Sequence, residues 1–258
     1  KEPLIDYLMI LDGEGREVCR VSLLEAIENS YYAPLLRGLD YRYDLLHANS
    51  LQVLDDTHKV QIPAFKKGNV LVCMLNPSLI AAVNIEDRKV EWGQTGQWLF
   101  PHDPTLLPSG EILLFDNHGP KWHYMEPMAS RVLQFNPMTR EVLWEYTGTK
   151  DAPFFSYFAG LAAPLPNGNI LVSETSNGRA FEVTREKEIV WEYKTPYRIN
   201  GEEHLSAILS QMQRYPKEYV DVWSANANRG TNLPHDYLKI DELERLASEY
   251  YMTLQVRP

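Results

Sequence analysis

The strongest constraint on the fold is a pattern that recurs three times and ends each time in tryptophan. SLIAAVNIEDRKVEWG, SRVLQFNPMTREVLWEY and GRAFEVTREKEIVWEY each run apolar strand, polar turn, apolar strand, and they place Trp92, Trp144 and Trp191 near the end of the second strand. Ahead of each stands another pair of apolar runs joined by a Gly-bearing turn, within Val53 to Leu75, Thr105 to Asn117 and Ala163 to Thr175. Pro108-Ser109-Gly110 and Pro166-Asn167-Gly168 are the same turn written twice. Apolar runs flanking such turns are the signature of β-hairpins. Two hairpins per repeat, with tryptophans roughly 50 residues apart, make the four-stranded blade of a β-propeller.

Tyr7 to Val21 (YLMILDGEGREVCRV) repeats the second half of the pattern alone. The sequence therefore predicts an all-β fold, with half a blade and three full blades over residues 1–198. Propellers close with about four to eight blades, so further blades are expected ahead of Lys1; the alternative is a partner chain that covers the gap. The GxG within DGEGRE falls in the turn between two outer strands, which makes it a turn rather than a phosphate cradle. A tryptophan at one strand position in every blade is expected to pack between neighbouring blades; a substrate cage is the alternative.

Residues 199–258 read as a C-terminal extension of different character. SAILSQMQRYPKEYVDVW (Ser206 to Trp223) starts with an amphipathic helical pattern that ends near Pro216. Leu238, Leu243, Leu246 and Tyr250 fall at helical spacing. This extension is expected to pack on the propeller rim; the alternative is a docking surface for a protein partner.

Composition excludes some partners. Twenty-five Lys+Arg against 35 Asp+Glu give a formal net charge of -10, which disfavours a nucleic acid or an anionic membrane surface. The sequence has no unbroken apolar run of about 18 residues, the length a membrane-spanning helix needs. Cys19 and Cys73 lie in strand-like runs without CxxC or metal-ligand spacing; they read as free thiols, with a single long-range disulfide as the alternative.

Loops leading into the innermost strands of a propeller converge at one mouth, so residues far apart in sequence share a site. The loop into the first full blade, DLLHANSLQVL, carries His47 and Asn49; the next, FPHDPTLL, carries His102 and Asp103; the third, FAGLAAPL, has Ala159-Gly160 instead. Two histidines at matching lead-in positions suit nucleophilic or acid–base work near neutrality. The structural alternative is that each hydrogen-bonds the backbone of an adjacent blade.

HANS (His47 to Ser50), HDPTLLPSGEILLFDN (His102 to Asn117), LAAPLPNGNILV (Leu161 to Val172) and QRYPKEY (Gln213 to Tyr219) occur in an order that resembles the bacterial arylsulfotransferase family. The resemblance implies a six-bladed propeller, periplasmic or otherwise extracytoplasmic. It also implies transfer of a sulfuryl group from an aryl sulfate to a phenol through a sulfated histidine, with no cofactor. His102 then matches the nucleophile, and His47 and Asn49 the groups that hold the sulfuryl oxygens and assist proton transfer. Asp103, Asn117 and His118 are the expected substrate-binding groups.

One departure stands out: Leu75 and Asn76 occupy positions where the family carries a basic Arg-His element. A guanidinium clamps an anion through charge-assisted, often bidentate bonds. His118, Lys121, His123 and Arg131, in or beyond the loop NHGPKWHYMEPMASR, are candidate replacements; otherwise that loop is a surface insertion. Zinc ligation by His102, His118 and His123 with Asp103 or Asp116 lacks compact spacing, so no metal is expected. A quinone-dependent dehydrogenase on a similar propeller lacks a calcium-ligand cluster. The remaining alternative is a non-catalytic propeller that serves as a binding or scaffold subunit.

Overall fold

The computed structural model describes residues 4–39, 44–117, 129–197 and 207–217. The chain divides into two units, 1–211 and 212–258.

The first unit holds the repeat. β1 (Tyr7–Leu11) and β2 (Glu17–Ser22) form a two-stranded antiparallel sheet. Three four-stranded antiparallel sheets follow in chain order. The first is β3 (Ala48–Val53), β4 (Val70–Met74), β5 (Leu79–Asn84) and β6 (Lys89–Gln94). The second is β7 (Pro101–Leu106), β8 (Ile112–Asp116), β9 (Arg131–Phe135) and β10 (Val142–Tyr146). The third is β11 (Leu161–Pro164), β12 (Ile170–Glu174), β13 (Arg179–Val183) and β14 (Ile189–Lys194). These are propeller blades, half a blade and three full ones, as the repeat predicts.

Both faces of each middle strand are covered, so β4, β5, β8, β12 and β13 are buried at every position. Three apolar layers do the covering. One lies between the half blade and the first full blade (Leu8, Val21, Val72, Val83). The next lies between the first and second (Leu71, Ile80, Leu114, Phe135), and the last between the second and third (Leu113, Phe115, Val172, Phe181). Two of the tryptophans sit at the inter-blade layers, Trp92 against the layer between the first and second blades and Trp144 against the third blade. Trp92 meets Phe65 edge-on at 4.9 Å. Trp144 donates its indole N–H to Arg185 O of the next blade at 2.9 Å, beneath the Arg185 guanidinium. Trp191 holds the same strand position in the last blade described and is 39% exposed.

The turns follow the sequence. Gly110 and Gly168 have φ of 101° and 87°, which a type of turn written Pro-x-Gly requires. Asp12 accepts from the backbone N–H of Glu14 and Arg16 and so closes DGEGRE as the β1–β2 turn. Cys19 and Cys73 are free thiols.

Two features differ from expectation. A short helix α1 (Leu23–Glu28) and a 3-10 turn (Ala33–Gly38) separate the half blade from the first full blade. Ser22 caps α1 by accepting from Glu25 N, and Leu23, Ala26 and Ile27 are buried. Second, no helix forms over the described part of the extension's first segment, Ala207 to Pro216. Its backbone groups find partners outside the segment instead. Ala207 N donates to Tyr197 O, Leu209 N to Thr175 O, and Thr175 Oγ1 to Ser210 O. The helix expected around Leu238 to Tyr250 lies outside the described residues. Among the described residues no helix is long and apolar enough to cross a membrane.

Candidate functional site

Strand register fixes what is equivalent between blades. Ala48 pairs with Met74 and Pro101 with Asp116, each at the last residue of the second strand. The residues just before, His47 and Phe100, have φ of 53° and 55°, and Ala159 has 52° at the corresponding place in the third blade. A left-handed residue at every blade mouth is a device for turning the chain onto its inner strand. It carries no chemical meaning of its own. His47 is therefore the counterpart of Phe100 and Ala159, and the matching of His47 with His102 needs correction. His102 lies within β7 and pairs with Phe115, as Ser50 pairs with Cys73 and Leu161 with Ser173. The spacing misleads because counting back from Leu51 and Leu106 treats the two as equivalent, whereas Leu51 pairs with Val72, two residues before the end of its neighbour, and Leu106 with Ile112, four before. Both β3 and β7 carry a one-residue bulge, at Asn49 and at Asp103-Pro104, so the bulges cancel in this count.

The histidines nonetheless share one electrostatic neighbourhood, since a charge on His47 disfavours one on His102. The ring of His102 is locked in place. Asn117 donates its amide hydrogens to Ser156 O at 2.9 Å and Ala159 O at 2.8 Å, so its Oδ1 must face His102 Nδ1, 2.8 Å away. Phe100 O lies 3.2 Å from the same nitrogen. Two acceptors around Nδ1 place the proton there and leave the lone pair on Nε2. Nε2 has no partner among the described residues, and it is not among the sealed unpartnered atoms, which are the two ring nitrogens of His58 and Gln94 Oε1. Burial lowers the His102 pKa, against the opposing pull of Asn117 and the Phe100 carbonyl. A neutral imidazole with an open Nε2 is the nucleophilic form.

Asn117, expected among the substrate-binding groups, is 1% exposed, and both ends of its amide are taken up. It positions His102 rather than touching a ligand. Asp103 is half-buried. Its Oδ2 accepts Ala162 N at 3.2 Å, and burial pushes its pKa up to about 7 against that bond. Asn49 donates to Pro101 O at 2.9 Å, so it ties β3 to β7 whatever else it does. Gln52 and Leu106 exchange two further bonds across the same boundary. His118 lies outside the described residues, as do Lys121 and His123.

His47 brings a partner that sequence reading missed: Asp44 Oδ2 is 2.5 Å from its Nδ1, and Asp44 Oδ1 accepts the His47 backbone N–H. Spacing of three residues across a loop was the only available signal. Asn76, at the departure from the family pattern, supports this pair by donating to Asp44 O at 2.5 Å and Leu45 O at 3.4 Å.

Arg131 does not replace the missing cation. Its guanidinium lies 2.8 Å from Asp116, 2.7 Å from Glu145 and 2.5 Å from Gln97 O. The third blade repeats the arrangement with Glu174, Arg179 and Glu192. Each buried carboxylate also accepts a backbone N–H from the loop at the blade mouth, Leu99 N and Phe155 N respectively. These triads brace the loops that hold His102 and Asn117. In the first blade the same positions are Met74, Leu79 and Gly93, with Tyr32 packed over Gly93 and bonded to its N–H.

Among the described residues no group of three His, Cys, Asp or Glu is placed to hold a metal ion. A cleft of about 460 Å³ is lined by Asp151, Pro153, Glu174, Asn177, Arg179 and Lys194, none of them a candidate, and its two cations are paired, Arg179 with Glu174 and Lys194 with Glu192.

The arylsulfotransferase (ASST) family profile matches residues 11–196, which takes in all three full blades and β2 of the half blade. The chain belongs to the arylsulfotransferase family. This arylsulfotransferase-family chain matches no curated protein. Its structure is similar to that of a Bacteroides caccae protein of unknown function, at 14% identity over 75% of this chain and 56% of that one, with a TM-score of 0.45. The Dos1 propeller is also similar, at 12% identity over 74% and 43%, with a TM-score of 0.46. The chain thus spans about half the length of these solved structures.

Proposed function

We propose that this protein transfers a sulfuryl group from an aryl sulfate to a phenol, with His102 Nε2 as the nucleophile. The observation that carries the reading is the locked neutral imidazole: Nδ1 is held by Asn117 Oδ1 and Phe100 O, while Nε2 has no partner among the described residues. Nε2 attacks sulfur, the S–O bond to the phenol breaks, and a sulfated His102 forms. An acceptor phenol then attacks the same sulfur and regenerates the imidazole. His47, oriented by Asp44 and felt electrostatically at His102, is assigned the support of the transferring oxygens. The reaction needs no cofactor. An extracytoplasmic site of action is part of the proposal and rests on family membership alone.

The test mixes wild-type protein or His102→Ala with a chromogenic aryl sulfate and an acceptor phenol. Release of phenol by wild type and its loss in the variant are expected; full activity in the variant sinks the mechanism. A second reading, a non-catalytic binding or scaffold subunit, is favoured by one observation: Leu75 and Asn76 stand where the family resemblance places a basic Arg-His pair, Asn76 braces a loop, and Arg131 is bound up in a structural triad. A protein partner on residues 199–258 belongs to that reading. Wild-type protein that turns over no aryl sulfate, yet retains a partner through purification, would favour it.

A further inference from the structure

The bulge in β7 gives Asp103 a place that the reaction above leaves unused. His102 pairs with Phe115 and Thr105 with Leu113, so one extra residue is inserted between them. Such an insertion breaks the strand's alternation and lets consecutive side chains reach the same side. Both do so here. His102 bonds to Asn117, whose amide is anchored on Ser156 O and Ala159 O, and Asp103 bonds to Ala162 N, just past that same mouth. Only one carboxyl oxygen of Asp103 is used. Oδ1 has no partner among the described residues and is not sealed from solvent.

We propose that Asp103 exchanges the proton with the phenol oxygen, giving it to the leaving phenol and taking it from the acceptor. This rests on the sulfuryl-transfer reading. In the first half, Nε2 of His102 bonds to sulfur, the S–O bond breaks, and the neutral Asp103 carboxyl protonates the departing phenolate. In the second half, the Asp103 carboxylate takes the acceptor's hydroxyl proton as its oxygen bonds to sulfur and the N–S bond breaks. Protons and charge return to their starting state after each cycle. A group titrating near neutrality suits both directions. Nearby, the buried Cys73 thiol is pushed up in pKa and stays protonated, and His102 stays neutral.

Asp103→Asn tests this with the scaffold intact, because its Oδ1 still accepts Ala162 N. Wild type and variant are compared on a series of aryl sulfates, from 4-nitrophenyl sulfate to sulfates of weakly acidic phenols, and each is titrated with 4-nitrophenol by absorbance. Loss of a general acid costs about 10²–10⁴-fold. That loss is expected for weakly acidic leaving phenols and should shrink toward 4-nitrophenyl sulfate, while 4-nitrophenol binds the variant more weakly. Transfer with an unchanged dependence on leaving phenol and unchanged 4-nitrophenol binding overturns the role of Asp103 and leaves the transfer reading standing. Failure of wild type to transfer at all overturns the transfer reading and the proton exchange with it; weaker 4-nitrophenol binding by the variant would then retain Asp103 only as a phenol contact.

Discussion

Asp103 makes a prediction about stability that is independent of turnover. Burial raises its carboxyl from 3.8 to about 7, whereas in the unfolded chain it titrates near about 3.9. Between those values the folded protein holds a proton that the unfolded chain has released, so stability falls as pH rises. The contribution of the neutral carboxyl is fully present below about pH 4 and is gone above about pH 7. Three units at about 1.4 kcal/mol each give an upper bound of about 4 kcal/mol. With one oxygen open to solvent, about 2–4 kcal/mol is the working range. Asp103→Asn keeps the bond to Ala162 N but cannot ionise. The variant should therefore equal wild type near pH 4 and become progressively more stable up to pH 7, with a plateau beyond. Cys73 stays protonated across this range, and burial disfavours a charge on His102. Urea denaturation of both proteins at half-unit pH steps measures the difference directly. A difference that stays flat from pH 4 to pH 8 refutes the reasoning, because it would mean that the carboxyl is as well solvated in the folded protein as in the unfolded chain.

Gly160→Ala should destabilise by at least about 2 kcal/mol in urea denaturation. An added Cβ would lie 2.3–2.6 Å from the fully buried Phe115 ring, at a φ of 142°. Arg131→Met should cost about 3–5 kcal/mol, because it takes the guanidinium from Asp116, which is 0% exposed. The double variant Asp116→Asn/Arg131→Met should recover part of that loss in the same assay.

The blade architecture was legible because it is periodic. Strand, turn and tryptophan recur often enough that loop-length differences do not obscure them, and the apolar layers then follow from alternation. Elements without repetition escaped. The six-residue helix α1 is too short to show helical periodicity, although Ser22 and Glu25 stand at capping spacing ahead of it. The Asp116–Arg131–Glu145 triad draws on three strands, so nothing in local sequence marks Arg131 as bound. Only its recurrence as Glu174–Arg179–Glu192 could have done so, and the first blade breaks that recurrence with Met74, Leu79 and Gly93.

At the site, residue types were legible and their geometry was not. Counting from the apolar runs sets His47 opposite His102 because Leu51 is matched to Leu106, yet Leu106 pairs two rungs farther along its neighbour than Leu51 does. The bulges then place the residues that follow. Asn49 falls at one and becomes a tie to Pro101 O; Asp103 falls at the other and reaches Ala162 N with an oxygen to spare. The same logic separates Asn117 from a ligand group. As a residue in a loop it reads as a donor for substrate, and only the two carbonyls of Ser156 and Ala159 reveal that its amide is already oriented. That orientation selects the tautomer of His102, so the proposed nucleophile depends on a loop of the following blade. A propeller can thus lack the basic pair that the family resemblance places at Leu75 and Asn76 and still hold an imidazole with Nε2 unpartnered among the described residues, because the groups that orient His102 sit in the second and third blades, away from those positions.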